Sequence, residues 1–265
     1  MYRIRSGMAI CLILTGIALL GACADAPSLL PVPHYDQAQL DAVQMRAVLV
    51  AGEAGLPAFD NAAAAISVWL RDQAGVTPDR ITRLSASPAI AAQEGIETTT
   101  WSDVIQAIEH LKPAPGQGCF VFMTSHGIPG AGIELASNSV LSPDQFDKAL
   151  VRGCGNAPTV VVISACFSGS FAAPPMTRAN RIVITAARAD RTSFGCHAGA
   201  TYTFFDECLL GSLRQGGSWN GLFVASAACV RERERLGSYI PSEPQEWLGS
   251  TVADMPLPKE LTGGR

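Results

Sequence analysis

Two stretches decide the fold: Cys119-Phe120-Val121-Phe122-Met123-Thr124-Ser125-His126-Gly127 and Thr159-Val160-Val161-Val162-Ile163-Ser164-Ala165-Cys166. Each is a continuous apolar run rich in β-branched or aromatic residues, which is the signature of a parallel strand buried on both faces. Between them Pro143 to Val151 carries helical spacing. Strand, helix, strand predicts a crossover unit at the centre of a sheet. The alternation continues outward. Ala47 to Val50 is a short strand ending in Ala51-Gly52, and Ala62 to Arg71 is an Ala-rich helix with Ile66, Trp69 and Leu70 on one side. Arg80 to Leu84 follows as a strand, then Trp101 to Leu111 as a helix with Ser102 as its N-cap. Downstream, Arg181 to Thr185 is a strand, Tyr202 to Leu213 and Leu222 to Arg235 are helices, and Gln245 to Val252 closes the sheet. This predicts a three-layer α/β/α sandwich with a mostly parallel sheet, whose strand C-termini share one edge. Ligand chemistry belongs at that edge.

The chain has 265 residues, 48% of them hydrophobic, enough for one domain with a sizeable core. A net charge of −4 without clustered Lys and Arg argues against nucleic acid as a partner. The mixed run Arg231-Glu232-Arg233-Glu234-Arg235 reads as a solvated helix face.

Arg3 and Arg5 precede an apolar run from Met8 to Leu20, too short for a permanent membrane span and suited to an export signal. It ends in Leu20-Gly21-Ala22-Cys23, which resembles the bacterial lipobox. That resemblance implies lipidation at Cys23, and Ala24 in place of Asp points to the outer membrane. An ordinary signal peptide with Cys23 incidental is the competing reading. The organisation expected is therefore a signal peptide over 1–22, a Pro-containing tether over 23–44, a folded domain over 45–252 and a tail over 253–265.

A His and a Cys leave the C-terminal ends of the two central strands, with Gly127 and Gly169 beside them. A thiol attacks as thiolate, and a neighbouring imidazole can take its proton and later protonate a leaving amine. Gly127 allows close backbone approach, so the amides of Gly127 and Cys166 could hold an oxyanion. His126 and Cys166 thus form a candidate peptidase dyad. No Cys/His spacing suits zinc, so neither metal nor organic cofactor is expected. The segment after Cys166 is not the G-x-S-x-G elbow of serine hydrolases, and it lacks an Arg to grip phosphate.

Ser125-His126-Gly127 and Ala165-Cys166-Phe167-Ser168-Gly169-Ser170 resemble the catalytic segments of the legumain (asparaginyl endopeptidase) family of caspase-like cysteine peptidases. Thr185-Ala186-Ala187 with Thr192-Ser193-Phe194-Gly195-Cys196 is similar to the family's substrate-flanking strand and loop. The resemblance spans roughly 45–250. It implies a caspase-like fold, His126 as general base and acid, Cys166 as nucleophile, and a peptide or protein substrate lying near Ala165, Thr192 and Ser193. In the plant and animal members an Asn that orients the His and an Arg that binds the substrate side chain follow the first strand. Counting without gaps puts Ala58 and Asp60 there, so Asp60 is a candidate substrate-binding residue suited to a basic or amide side chain, or else a helix N-cap. A transpeptidase using the same dyad and a catalytically silent peptide-binding lipoprotein are the alternatives, and the oligomeric state stays open. Cys119 and Cys154 lie at the edge opposite the dyad and could be bridged if their strands are neighbours. Cys208 and Cys229, one in each of the last two helices, are a second possible pair. His197 beside Cys196 lacks a strand end and an oxyanion glycine, and His34 and His110 carry no catalytic context.

Overall fold

The structure, a computed structural model, describes residues 32–259; the signal segment and Cys23 lie outside them. In chain order the elements are α1 Gln37–Asp41, β1 Gln44–Ala51, α2 Pro57–Asp72, β2 Ile81–Ser85, α3 Pro88–Glu94, β3 Glu97–Thr98 and α4 Trp101–Glu109. Then come β4 Gln117–Thr124, β5 Gly127–Ile128, β6 Gly132–Leu135, β7 Ser139–Leu141, α5 Pro143–Cys154 and β8 Thr159–Ser164. The chain ends with β9 Arg181–Thr185, α6 Phe204–Leu213, α7 Trp219–Leu236 and β10 Gln245–Leu248. The main sheet runs β10-β9-β8-β4-β1-β2-β3, parallel throughout except for the antiparallel edge strand β10, and β5-β6-β7 form a small antiparallel sheet.

The apolar runs are continuous because the sheet is covered on both faces. Leu49, Phe120, Phe122, Val160 and Val162 pack with Ile66 and Leu70 of α2, Leu209 of α6 and Trp219 of α7. The alternate residues Val48, Val50, Val121, Met123 and Val161 pack with Ile108 of α4 and with Phe146 and Leu150 of α5. This is the period-2 division of a strand between two helical layers.

Several expectations need correction. Thr100, not Ser102, caps α4, accepting from the Asp103 N–H. Helix α2 starts at Pro57 after an N-cap, Leu56, that makes no side-chain bond, so Asp60 sits inside the first turn and caps nothing. Proline at the first helical turn supplies the fixed φ that starts this helix early. The folded body also exceeds 45–252. Leu40 of α1 joins the core before β1, and Met255 and Leu257 are buried after Val252. The closing strand stops at Leu248 because the chain turns there, with the Gly249 N–H donating to the Arg181 carbonyl.

At the edge opposite the two central strand ends, a disulfide and ions fasten the layers. Cys119 on β4 is bonded to Cys154 at the end of α5. Elsewhere, Cys208 of α6 is bonded to Cys229 of α7. Arg178 grips Asp147 of α5 with two bonds of 2.7 and 2.6 Å, while Arg181 at the start of β9 donates to the same carboxylate at 2.9 Å. Arg181 is 2% exposed. Burial lowers its pKa to about 10, and Asp147 opposes that shift. Removing the acid strands a buried cation. Asp147→Ala is therefore expected to lose about 3–5 kcal/mol in urea unfolding. Asp147→Ala combined with Arg181→Met should recover part of it.

Candidate active site

The sheet register builds the site. Ala51 of β1 pairs with Thr124 of β4, and Thr124 pairs with Ser164 of β8. Three neighbouring parallel strands therefore end level, and the residues two positions beyond them are Glu53, His126 and Cys166. Parallel strands deliver their C-terminal continuations to one edge, so this level ending brings the three residues to that edge.

Beyond Ser164 the chain turns sharply. Phe167 has φ +57°, and its N–H donates to the Arg191 carbonyl at 2.7 Å, tying the cysteine turn to the loop after β9. Gly127 lies against this turn: a Cβ there would collide with the Cys166 carbonyl oxygen. That contact is why glycine follows the histidine. Ala165 is buried beneath the turn. The loop after β9 brings Ser193 onto the thiol. Its N–H points at Cys166 Sγ at 3.3 Å, and its carbonyl and hydroxyl oxygens lie 3.6 Å from the sulfur. Thr192, next to it, is exposed.

The His126 ring is held from two sides. Phe59 meets it edge to face at 5.3 Å between centroids, and Glu53 Oε2 lies 3.8 Å from its Nε2. The His126 carbonyl accepts from the Glu134 N–H at 2.9 Å, so the small sheet pins the backbone at the histidine.

His126, Gly127, Cys166, Ala165 and Ser193 thus come together, and Asp60 does not join them. It is buried, with Ser85 and Arg83 near its carboxyl, which places that group toward the end of β2. Burial raises its pKa, with Ser85 and Arg83 pulling the other way. Its neighbour Phe59 faces His126 instead, while Asn61 Nδ2 donates to the Thr201 carbonyl at 3.1 Å. Consecutive helical residues are about 100° apart, so a count along the chain could not choose among the three. Cys196, unpaired and half-buried, has its thiol pKa raised first by burial and also by the proximity of Cys166. His197 is exposed.

One buried residue beneath the site escaped sequence reasoning. Asp206, in the first turn of α6, accepts from Thr124 Oγ1 at 2.9 Å, and the Ser164 hydroxyl also acts on its carboxylate. It braces the last residues of both central strands. The only signal was Thr203-Phe204-Phe205-Asp206, which has the spacing of a capping box. Thr203 does cap the helix, accepting from the Asp206 N–H at 3.0 Å, but the carboxylate turns to the sheet.

Comparison with known proteins agrees with this geometry. The fold is that of the caspase-like α/β sandwiches: the chain is similar to the crystal structure of caspase-1 from Spodoptera frugiperda, at 12% identity and a TM-score of 0.53, over 84% of this chain and 93% of that one. Residues 100–213 match the model of the Peptidase C13 family, the legumain family, and this segment includes His126, Cys166, Ser193 and Asp206. No curated protein gives a sequence match. The family match together with the fold supports a cysteine peptidase.

The brace beneath the site has a pH signature. Burial pushes the Asp206 carboxyl up to about 6, against the pull of the Ser164, Thr124 and Thr203 hydroxyls. A folded value above the unfolded one means that stability is full in acid and is lost as pH rises towards about 6. The loss at neutral pH is on the order of 3 kcal/mol. Asp206→Asn escapes it, so its stability relative to the parent should be about 2 kcal/mol more favourable at pH 7.5 than at pH 4, measured by urea unfolding at both.

Proposed function

We propose that the chain is a cysteine endopeptidase acting through Cys166 and His126, held by a lipid on Cys23 at the periplasmic face of a bacterial outer membrane. The observation that supports the catalytic part is the pairing of Thr124 with Ser164, since His126 and Cys166 each follow two residues beyond. His126 takes the thiol proton, and the thiolate attacks the substrate carbonyl. The N–H groups of Gly127 and Cys166 receive the developing oxyanion, consistent with the close seat of Gly127 on the Cys166 turn. His126 then protonates the departing amine, leaving a thioester. Water, deprotonated by His126, releases the acid and restores the thiol. Thr192 and Ser193, whose loop crosses the sulfur, supply main-chain groups to an extended peptide. The side-chain preference drawn from Asp60 does not carry over, since its carboxyl lies by Ser85.

Tyr35, within the stretch read as tether, donates its hydroxyl to the Asn156 carbonyl at 2.5 Å, just before β8 begins.

With a mixed peptide pool and mass-spectrometric reading of new termini, the reduced protein should cleave, and Cys166→Ala should lose at least about 10³-fold in activity. Gly127→Ala, which crowds the Cys166 carbonyl, should lose about 10²-fold. Products joined to an amine would instead mark a transpeptidase, and no Cys166-dependent turnover would refute the peptidase reading. Separately, Cys23→Ser should abolish palmitate incorporation and release the protein to the soluble fraction.

A further inference from the structure

The row at the strand ends has three members, and the proposed dyad uses two. Glu53 stands two residues past Ala51, as His126 stands past Thr124 and Cys166 past Ser164, on three strands paired in register. The local chain is built to hold it there. The Gly52 N–H donates to the Thr124 carbonyl at 3.0 Å, extending the pairing of β1 with β4 by one residue. A Cβ on Gly52 would meet the Glu134 carbonyl and the Ser125 side chain, so only glycine passes this close to the histidine segment. The Gly55 N–H donates to Glu53 Oε1 at 2.5 Å, which fixes one oxygen of the carboxylate. The other oxygen, Oε2, is buried, has no hydrogen-bond partner, and lies 3.8 Å from His126 Nε2. Among the described residues Glu53 is the acid within ion-pair distance of His126.

A buried carboxylate oxygen without a donor is unfavourable unless a charge arrives beside it. When His126 takes the thiol proton, that charge arrives. We infer that Glu53 is the positioning residue of the site: it orients the imidazole through Nε2 and stabilises the imidazolium, leaving Nδ1 to exchange the proton with Cys166. The proton moves from sulfur to ring nitrogen, and none passes to Glu53. This rests on the dyad reading above. Phe59, edge-on to the same ring, limits its rotation, so the carboxylate and the aromatic edge together define one ring orientation.

The test compares the full chain with Glu53→Gln, which keeps the size and an acceptor for the Gly55 N–H but removes the charge. Cys166 alkylation by iodoacetamide is followed by mass spectrometry at pH 7 and pH 10, alongside peptide turnover. Glu53→Gln should be alkylated about tenfold more slowly at pH 7 and equally fast at pH 10, where hydroxide can take the proton of a thiol directly. Its kcat should fall about 10–100-fold with KM within twofold. Parent-like alkylation at pH 7 overturns the inference, and so does equal slowing at both pH values, which marks a distorted site. If the parent cleaves no peptide, the peptidase reading fails on its own, while the alkylation comparison still decides the role of Glu53.

Discussion

Everything at the candidate site depends on the in-register parallel pairing of β1, β4 and β8. Because Ala51, Thr124 and Ser164 lie side by side, the chain leaves three strands at the same height. A slip of one residue in either pairing would turn every side chain of the moved strand to the other face. Both faces are buried here, so such a slip would exchange Phe120 and Phe122 with Val121 and Met123 between two differently shaped helical layers. Core packing thus enforces the register, and the register places Glu53, His126 and Cys166.

The two edges of the sheet are held by different means. At the start of the strands, covalent and ionic links dominate: the Cys119–Cys154 disulfide closes a loop of sequence separation 35, worth about 3–4 kcal/mol in the chain-entropy picture. Asp147 adds its two arginines nearby. At the strand ends polar bonds join the loops to the sheet. They include the Asp206 carboxylate on Thr124, the Phe167 N–H on Arg191 and the Ser193 N–H on sulfur. Asp206 is costly there, since its carboxyl is fully buried with Oδ1 unpartnered.

The sandwich was legible because buried parallel strands leave continuous apolar runs, and the fold neighbour agrees with that reading. Cys119–Cys154 and Cys208–Cys229 were open possibilities in the sequence, and both are disulfides in the structure. The small sheet was not legible: β5 has two residues among glycines and a proline, too few to show any period. Helix α1 hid in a stretch read as tether, because only Leu40 of its five residues is buried. At the site, His126 and Cys166 stood out through the glycines and apolar strands beside them. Asp60 was misplaced because an ungapped count fixes distance along a helix and not direction around it. Glu53 gave no signal at all, since an acid in a Gly-rich loop looks like any solvated turn residue.

That invisibility has a physical origin. Glu53 matters only through the register of β1 against β4, and register is a long-range property that no local pattern encodes. Once the pairing is known, counting two residues past each strand end finds all three side chains without reference to motif. The same count on the next strands finds nothing comparable: two past Ser85 of β2 stands Ser87, which caps α3, and two past Thr185 of β9 stands Ala187. Chemistry-bearing side chains at this position are confined to three adjacent central strands, the part of the sheet where the core on both faces is deepest and the alignment most firmly held.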